Sequence, residues 1–222
     1  MCQIFEIILI PIPAYCIIMA RLGIVACDIL KPEIEFLTKD DPDFVHREYL
    51  EFALHEYSDV LRQKVTETVD ALEGKVDAVL LGYARCQSLD GITEVLKVPT
   101  VMLPGADCID ALLTTPEYNK EKEICAGTWF MSPGWAEAGT NGLIKEMHLD
   151  SVEGVDPQFF LDMLFDSYQR CLFIDSGVGN TEYYKDKSQE MADQLKLRLD
   201  CRACNLGAIE EAIRKVKEKA SH

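Results

Sequence analysis

The chain has 222 residues, 48% of them hydrophobic and 9% aromatic, which is enough for one packed domain and too apolar for a disordered polymer. A net charge of −16 opposes binding to nucleic-acid phosphates or anionic lipid, and the one Lys-rich run, Arg214-Lys215-Val216-Lys217-Glu218-Lys219, reads as a solvated helix end. Nine cysteines, an odd number scattered through apolar segments, argue against a secreted disulfide scaffold and for reduced thiols in the cytoplasm, where metal or redox chemistry is the question to ask.

Residues 1–18 read as an apolar extension. The stretch from Met1 to Met19 has no Lys or Arg, carries Glu6, and is interrupted by Pro11 and Pro13. It therefore lacks the charged start of a signal peptide and the unbroken length of a membrane helix. The alternatives are an upstream segment with Met19 as the start, a weakly membrane-associating piece, or an extra edge strand. Residues 19–222 then form a single α/β domain.

From Leu22 onward short apolar runs alternate with helical patterns, which predicts an open, mostly parallel sheet covered by helices on both faces. Leu22–Ala26 is the first strand and Ile29–Leu37 a helix. Tyr49–Ala53 alternates as a second strand. Ser58–Leu72 has apolar residues at helical spacing with Ser58 as its cap, and Gly74 ends it. Ala78–Leu81 and Thr100–Leu103 are buried strands, and Thr128–Met131 is another. Ser132-Pro133-Gly134-Trp135 combines a cap with a proline at the first helical position. Helices follow over Phe159–Tyr168 and Glu182–Leu195, with a strand at Cys171–Ile174. Leu197–Leu199 reads as a last strand before a helix from Leu206 to Ala220. No repeat, low-complexity tract or linker interrupts the chain.

In open α/β sheets ligands bind at the C-terminal ends of the strands. Cys27 follows the first strand directly, Cys86 follows the turn after Ala78–Leu81, and Cys108 follows the turn after Thr100–Leu103. Three thiols on three βα turns would meet at one edge. Thiolates suit zinc or an iron–sulfur cluster, and three of them leave a position for a fourth ligand or a substrate. His55, just beyond the second strand, is the candidate fourth ligand or proton carrier. Asp107 and Asp110 flank Cys108 and could orient it. Each of these residues also has a structural reading: a lone cysteine is commonly a small core hydrophobe.

Cys201-Arg202-Ala203-Cys204, placed at a helix start, would be a redox pair. It lacks the second pair that a zinc ribbon needs. Gly177 and Gly179, in Asp175-Ser176-Gly177-Val178-Gly179-Asn180, could present backbone N–H groups to an anion. The loop lacks the third glycine of a dinucleotide fingerprint and the lysine of a P-loop, so a plain turn is the competing reading.

Five landmarks in order resemble the domain-of-unknown-function 1638 family, which is frequent in methanogens and anaerobic bacteria. They are Val25-Ala26-Cys27, Leu54-His55, Leu81-Gly82-Tyr83-Ala84-Arg85-Cys86, Leu103–Ile109, and Gly127–Trp135. The resemblance implies a place near corrinoid-dependent methyl transfer, with a corrinoid protein or methyltransferase as partner. The expectation is therefore a cysteine-ligated metal protein, an enzyme or an accessory factor, serving anaerobic one-carbon metabolism. Two other readings compete: a metal-free protein that docks a corrinoid or nucleotide at the same edge, and an interaction protein whose thiols are core residues.

Overall fold

Continuous apolar runs become central strands, and the charged runs fall at the edges. The computed structural model describes residues 20–51, 57–85, 87–151 and 154–221. The first half carries β1 (Leu22–Cys27), α1 (Lys31–Thr38), β2 (Phe44–Leu50), α2 (Ser58–Asp70), β3 (Ala78–Gly82) and β4 (Thr100–Met102). Then come α3 (Cys108–Leu113), α4 (Thr115–Ile124), β5 (Thr128–Met131), α5 (Pro133–Glu146) and α6 (Pro157–Leu164). The chain continues through β6 (Arg170–Asp175), α7 (Thr181–Gln194), β7 (Arg198–Ala203) and α8 (Gly207–Ala220).

Every strand pairing among the described residues is parallel. The strands form two sheets, in the orders β2-β1-β3-β4 and β5-β6-β7. The α/β class and the parallel pairing agree with the sequence, while the hydrogen bonding divides into two sheets. Central β1 and β3 are buried at every position, as strands covered on both faces must be. Edge strand β2 carries His46, Arg47 and Glu48 between the buried Phe44 and Leu50, a composition that discourages pairing with another chain. In the second sheet β6 is the buried centre.

One side of β1, with Ile24 and Ala26, packs with Ile34 of α1 and with Ile209 and Val216 of α8. The other side, with Val25 and Cys27, packs with Leu61, Val65 and Val69 of α2. Helix α8 leaves the second sheet and returns to cover β1, β3 and β4 of the first. Gly82 is required by close packing within the first sheet: a Cβ there would lie 2.3 Å from that of Ala26, its partner on β1.

Several boundaries differ from expectation. The second strand occupies Phe44–Leu50 rather than Tyr49–Ala53, because its edge position requires the charges that hide its pattern. Ser58 is the first residue of α2 rather than its cap, and Tyr57, at the cap position, makes no side-chain cap hydrogen bond. Helix α6 ends at Leu164 rather than Tyr168. Strand β7 extends through Ala203, so Cys201 lies in a strand and Cys204 in the loop after it; neither lies at a helix start. The extension 1–18 and Met19 lie outside the described residues. Among the described residues no helix is long and apolar enough to cross a membrane.

Candidate functional site

Cys27 is the last residue of β1 and is 5% exposed. A single 3-10 turn, Asp28–Leu30, carries the chain from it into α1. Cys108 is the first residue of α3, in the turn that follows β4. The two side chains line one cavity, close enough for Cys108 to perturb the Cys27 thiol, while Cys27 Sγ donates to Asp28 Oδ1 at 4.0 Å. The Cys108 side chain, followed by burial, holds the Cys27 thiol well above the ordinary thiol range, while a backbone hydrogen bond from Ile29 pulls weakly the other way. Two thiols of the expected trio thus meet at one sheet edge. Cys86 and His55 lie outside the described residues.

The turn bearing Cys108 is tightly fixed. Asp107 caps α3, its Oδ1 accepting from the backbone N–H groups of Ile109 (2.9 Å) and Asp110 (2.8 Å). Its Oδ2 accepts from the Tyr118 hydroxyl at 2.7 Å. Asp110 Oδ2 accepts from the Ala106 N–H at 2.7 Å. The neighbouring turn is joined to it, since the Arg85 N–H donates to the Gly105 carbonyl at 3.1 Å. Both aspartates therefore shape the backbone that presents the thiol.

The second sheet contributes α5. Ser132 caps it, accepting from the Trp135 N–H at 3.4 Å. A Cβ on Gly134 would lie 2.1 Å from the Ile29 carbonyl oxygen, so only glycine lets α5 sit on the turn after β1. This contact brings Trp135 to the thiols. A cavity of about 240 Å³ is lined by Cys27, Cys108, Leu61, Ile109 and Trp135, together with Ala84 and Ser88, which bracket Cys86 in the sequence.

The other candidate residues lie elsewhere. Gly177 and Gly179 follow β6 of the second sheet, both with φ of +69°, and neither lines this cavity. The Gly177 N–H donates to Asp175 Oδ1 at 2.9 Å, and that carboxylate also accepts from Thr181, so the loop directs a negative charge at its own amide. Cys201 is exposed, and burial pushes the Cys204 thiol up to about 12. Cys171 is buried within β6 and likewise pushed up to about 12. The six cysteines among the described residues carry thiols rather than disulfides. Among those residues no three His, Cys, Asp or Glu side chains are arranged to hold a metal ion.

The model of a family of proteins of unknown function, DUF1638, matches residues 49–213, well over half of the chain. The chain belongs to this family. The DUF1638 match contains Cys86, Cys108 and the Ser132–Trp135 corner, and begins after Cys27. No curated protein and no solved structure matches the chain.

Two features of the site region went unread in the sequence. Trp135 opens a helix with no role evident in the sequence, and the adjacent Gly134, a poor helix former at the second position of α5, is its signal. Glu33 shares the apolar face of α1 with Leu30, Ile34 and Leu37, and that position was its signal. It is wholly buried and accepts from the Ser176 hydroxyl of the β6–α7 loop at 2.9 Å, tying the two sheets together near their C-terminal edges. Its other oxygen has no hydrogen-bond partner. Burial raises this carboxyl to about 7, against the smaller opposing effect of Ser176.

Proposed function

We propose that the protein is a cytoplasmic thiolate metal-binding protein of anaerobic one-carbon metabolism, acting with a corrinoid protein or methyltransferase as an enzyme or an accessory factor. Cys27 and Cys108 supply two ligands, Cys86 the third, and His55 the fourth ligand or a proton carrier. The observation that carries the reading is that Cys27 and Cys108, delivered from two separate βα turns of one sheet, line one cavity. Two soft donors on one cavity wall, neither of them in a disulfide, fit the donor set of zinc or of an iron–sulfur cluster.

A bound zinc would hold a thiol substrate in its nucleophilic form, and an iron–sulfur cluster would supply a low-potential electron. The protein's own groups prepare the place. Asp107 and Asp110 fix the turn that presents Cys108. Trp135, Leu61 and Ile109 keep the walls dry, which strengthens charge interactions within. Cys27, whose thiol is pushed up by its neighbour and by burial, would have to give up its proton to serve as a metal ligand.

The acidic character of the rest of the edge disfavours an anionic nucleotide or corrinoid tail. A larger cleft of about 740 Å³ beside α5 is lined by Asp28, Glu35, Glu51, Glu137 and Glu146, against Lys31 and Lys145. The deciding test is metal and sulfide content, with a UV–visible spectrum, of protein purified without oxygen. Cys27→Ser, Cys86→Ser and Cys108→Ser should each remove most of the metal, whereas Cys171→Ser should remove none. Full occupancy in Cys108→Ser would end the proposal.

A further inference from the structure

The cavity beside the thiols has walls that select an occupant. Ile29, Leu61, Ala84, Ile109 and Trp135 are apolar, and each is at most 9% exposed. Its one carboxylate among the described residues, Asp107, already accepts three hydrogen bonds, from two backbone amides and from Tyr118. Ser88 donates its hydroxyl to Ser58 at 2.9 Å. The Cys27 thiol donates to Asp28 Oδ1 at 4.0 Å. The charge in the wall is thus satisfied from within, and what the wall presents to the cavity is hydrocarbon, sulfur and aromatic surface that includes the Tyr83 phenol. A charged guest would lose its water there and find no free counter-charge among these residues.

Size narrows the choice. A cavity of about 150 Å³ lined by apolar side chains already holds benzene, and this one is about 240 Å³. We propose that the cavity is the binding site for a small uncharged molecule with an aromatic or branched alkyl body, between benzene and indole in size, which it holds in contact with Cys27 and Cys108. This deepens the proposed function by naming the class of substrate that meets the thiols. It rests on that reading for the chemistry, but the binding stands on the cavity walls alone.

Trp135 lines the cavity, and the chain's other tryptophan, Trp129, is 5.2 Å from it between ring centroids. Intrinsic fluorescence therefore reports an occupant. Toluene titrated into the full chain, with its metal content counted beforehand, should give a saturable fluorescence change. Benzoate, of similar shape but charged, should bind at least tenfold more weakly. Ala84→Leu, which fills the cavity, should abolish the toluene response; if it lacks a cooperative melt, Ile109→Phe replaces it. A silent toluene titration, equal binding of benzoate, or an unchanged response in the filled variant would each overturn the assignment. Toluene binding to protein that never loads metal would instead remove the metal reading and leave the cavity assignment standing. Metal loading without a toluene response would do the reverse.

Discussion

Replacing Glu33 by Gln should reshape the pH dependence of stability. The glutamine keeps a carbonyl oxygen to accept from Ser176, now at 2.9 Å from Oε1, and removes the ionisable proton. The parent carboxyl titrates at 4.5 when solvated and at about 7 when buried. Between those values the folded chain holds a proton that the unfolded chain has lost, so stability falls as pH rises through the window and levels off above it. A gap of that size corresponds to about 3 kcal/mol. The other groups that face Glu33, Tyr184 and Cys204, are both shifted upward and stay outside the window. Urea unfolding of parent and Glu33→Gln from about pH 4 to about pH 8 should give curves that nearly coincide at the acid end. They should separate by about 3 kcal/mol at the alkaline end, with the variant more stable. Parallel curves across the range would refute the reasoning, because titrations elsewhere cancel in the difference.

Arg170→Met should cost about 1–3 kcal/mol in urea unfolding, because Glu121 Oε2 loses its buried partner while Oε1 keeps Arg202. Arg170 is 4% exposed and reaches Glu121 Oε2 at 2.7 Å and Thr128 Oγ1 at 2.8 Å; a loss under about 1 kcal/mol would count against this. Gly134→Ala should lower the melting temperature and shift the tryptophan emission, since the added Cβ collides with the Ile29 carbonyl; unchanged emission would mean that α5 does not seat Trp135. The Cys201→Ser, Cys204→Ser double variant should keep the parent's metal content, and a loss of metal would move the site to β7.

The parallel α/β class, most elements, and the arrival of Cys27 and Cys108 at one edge were legible because apolar runs and βα turns are local signals. Strand β2 was misplaced because an edge strand with His46, Arg47 and Glu48 has no continuous apolar run to announce it. The strand extending through Cys201 was hidden for the same reason, since β7 alternates between exposed and half-exposed positions. Helices α3 and α4 were missed: the first is only six residues long, and the second buries a single glutamate. The division into two sheets and the seating of α5 on the turn after β1 depend on contacts between distant segments, which no window of sequence contains. Glu33 and Trp135 belong to that same non-local layer.

Helix α8 also has a consequence for the order of events in folding. Its buried face of Ile209, Ala212 and Val216 covers the first sheet, and Lys217 anchors it to Asp41 at 2.6 Å and Asp43 at 2.9 Å. The sheet assembled from residues 22–102 must therefore wait for residues 207–220 before one of its faces is dry. During synthesis that face stays open until almost all of this chain has emerged, and the late closure of so long a loop slows the final step. An apolar surface left uncovered for that interval is where a nascent chain aggregates or meets a chaperone.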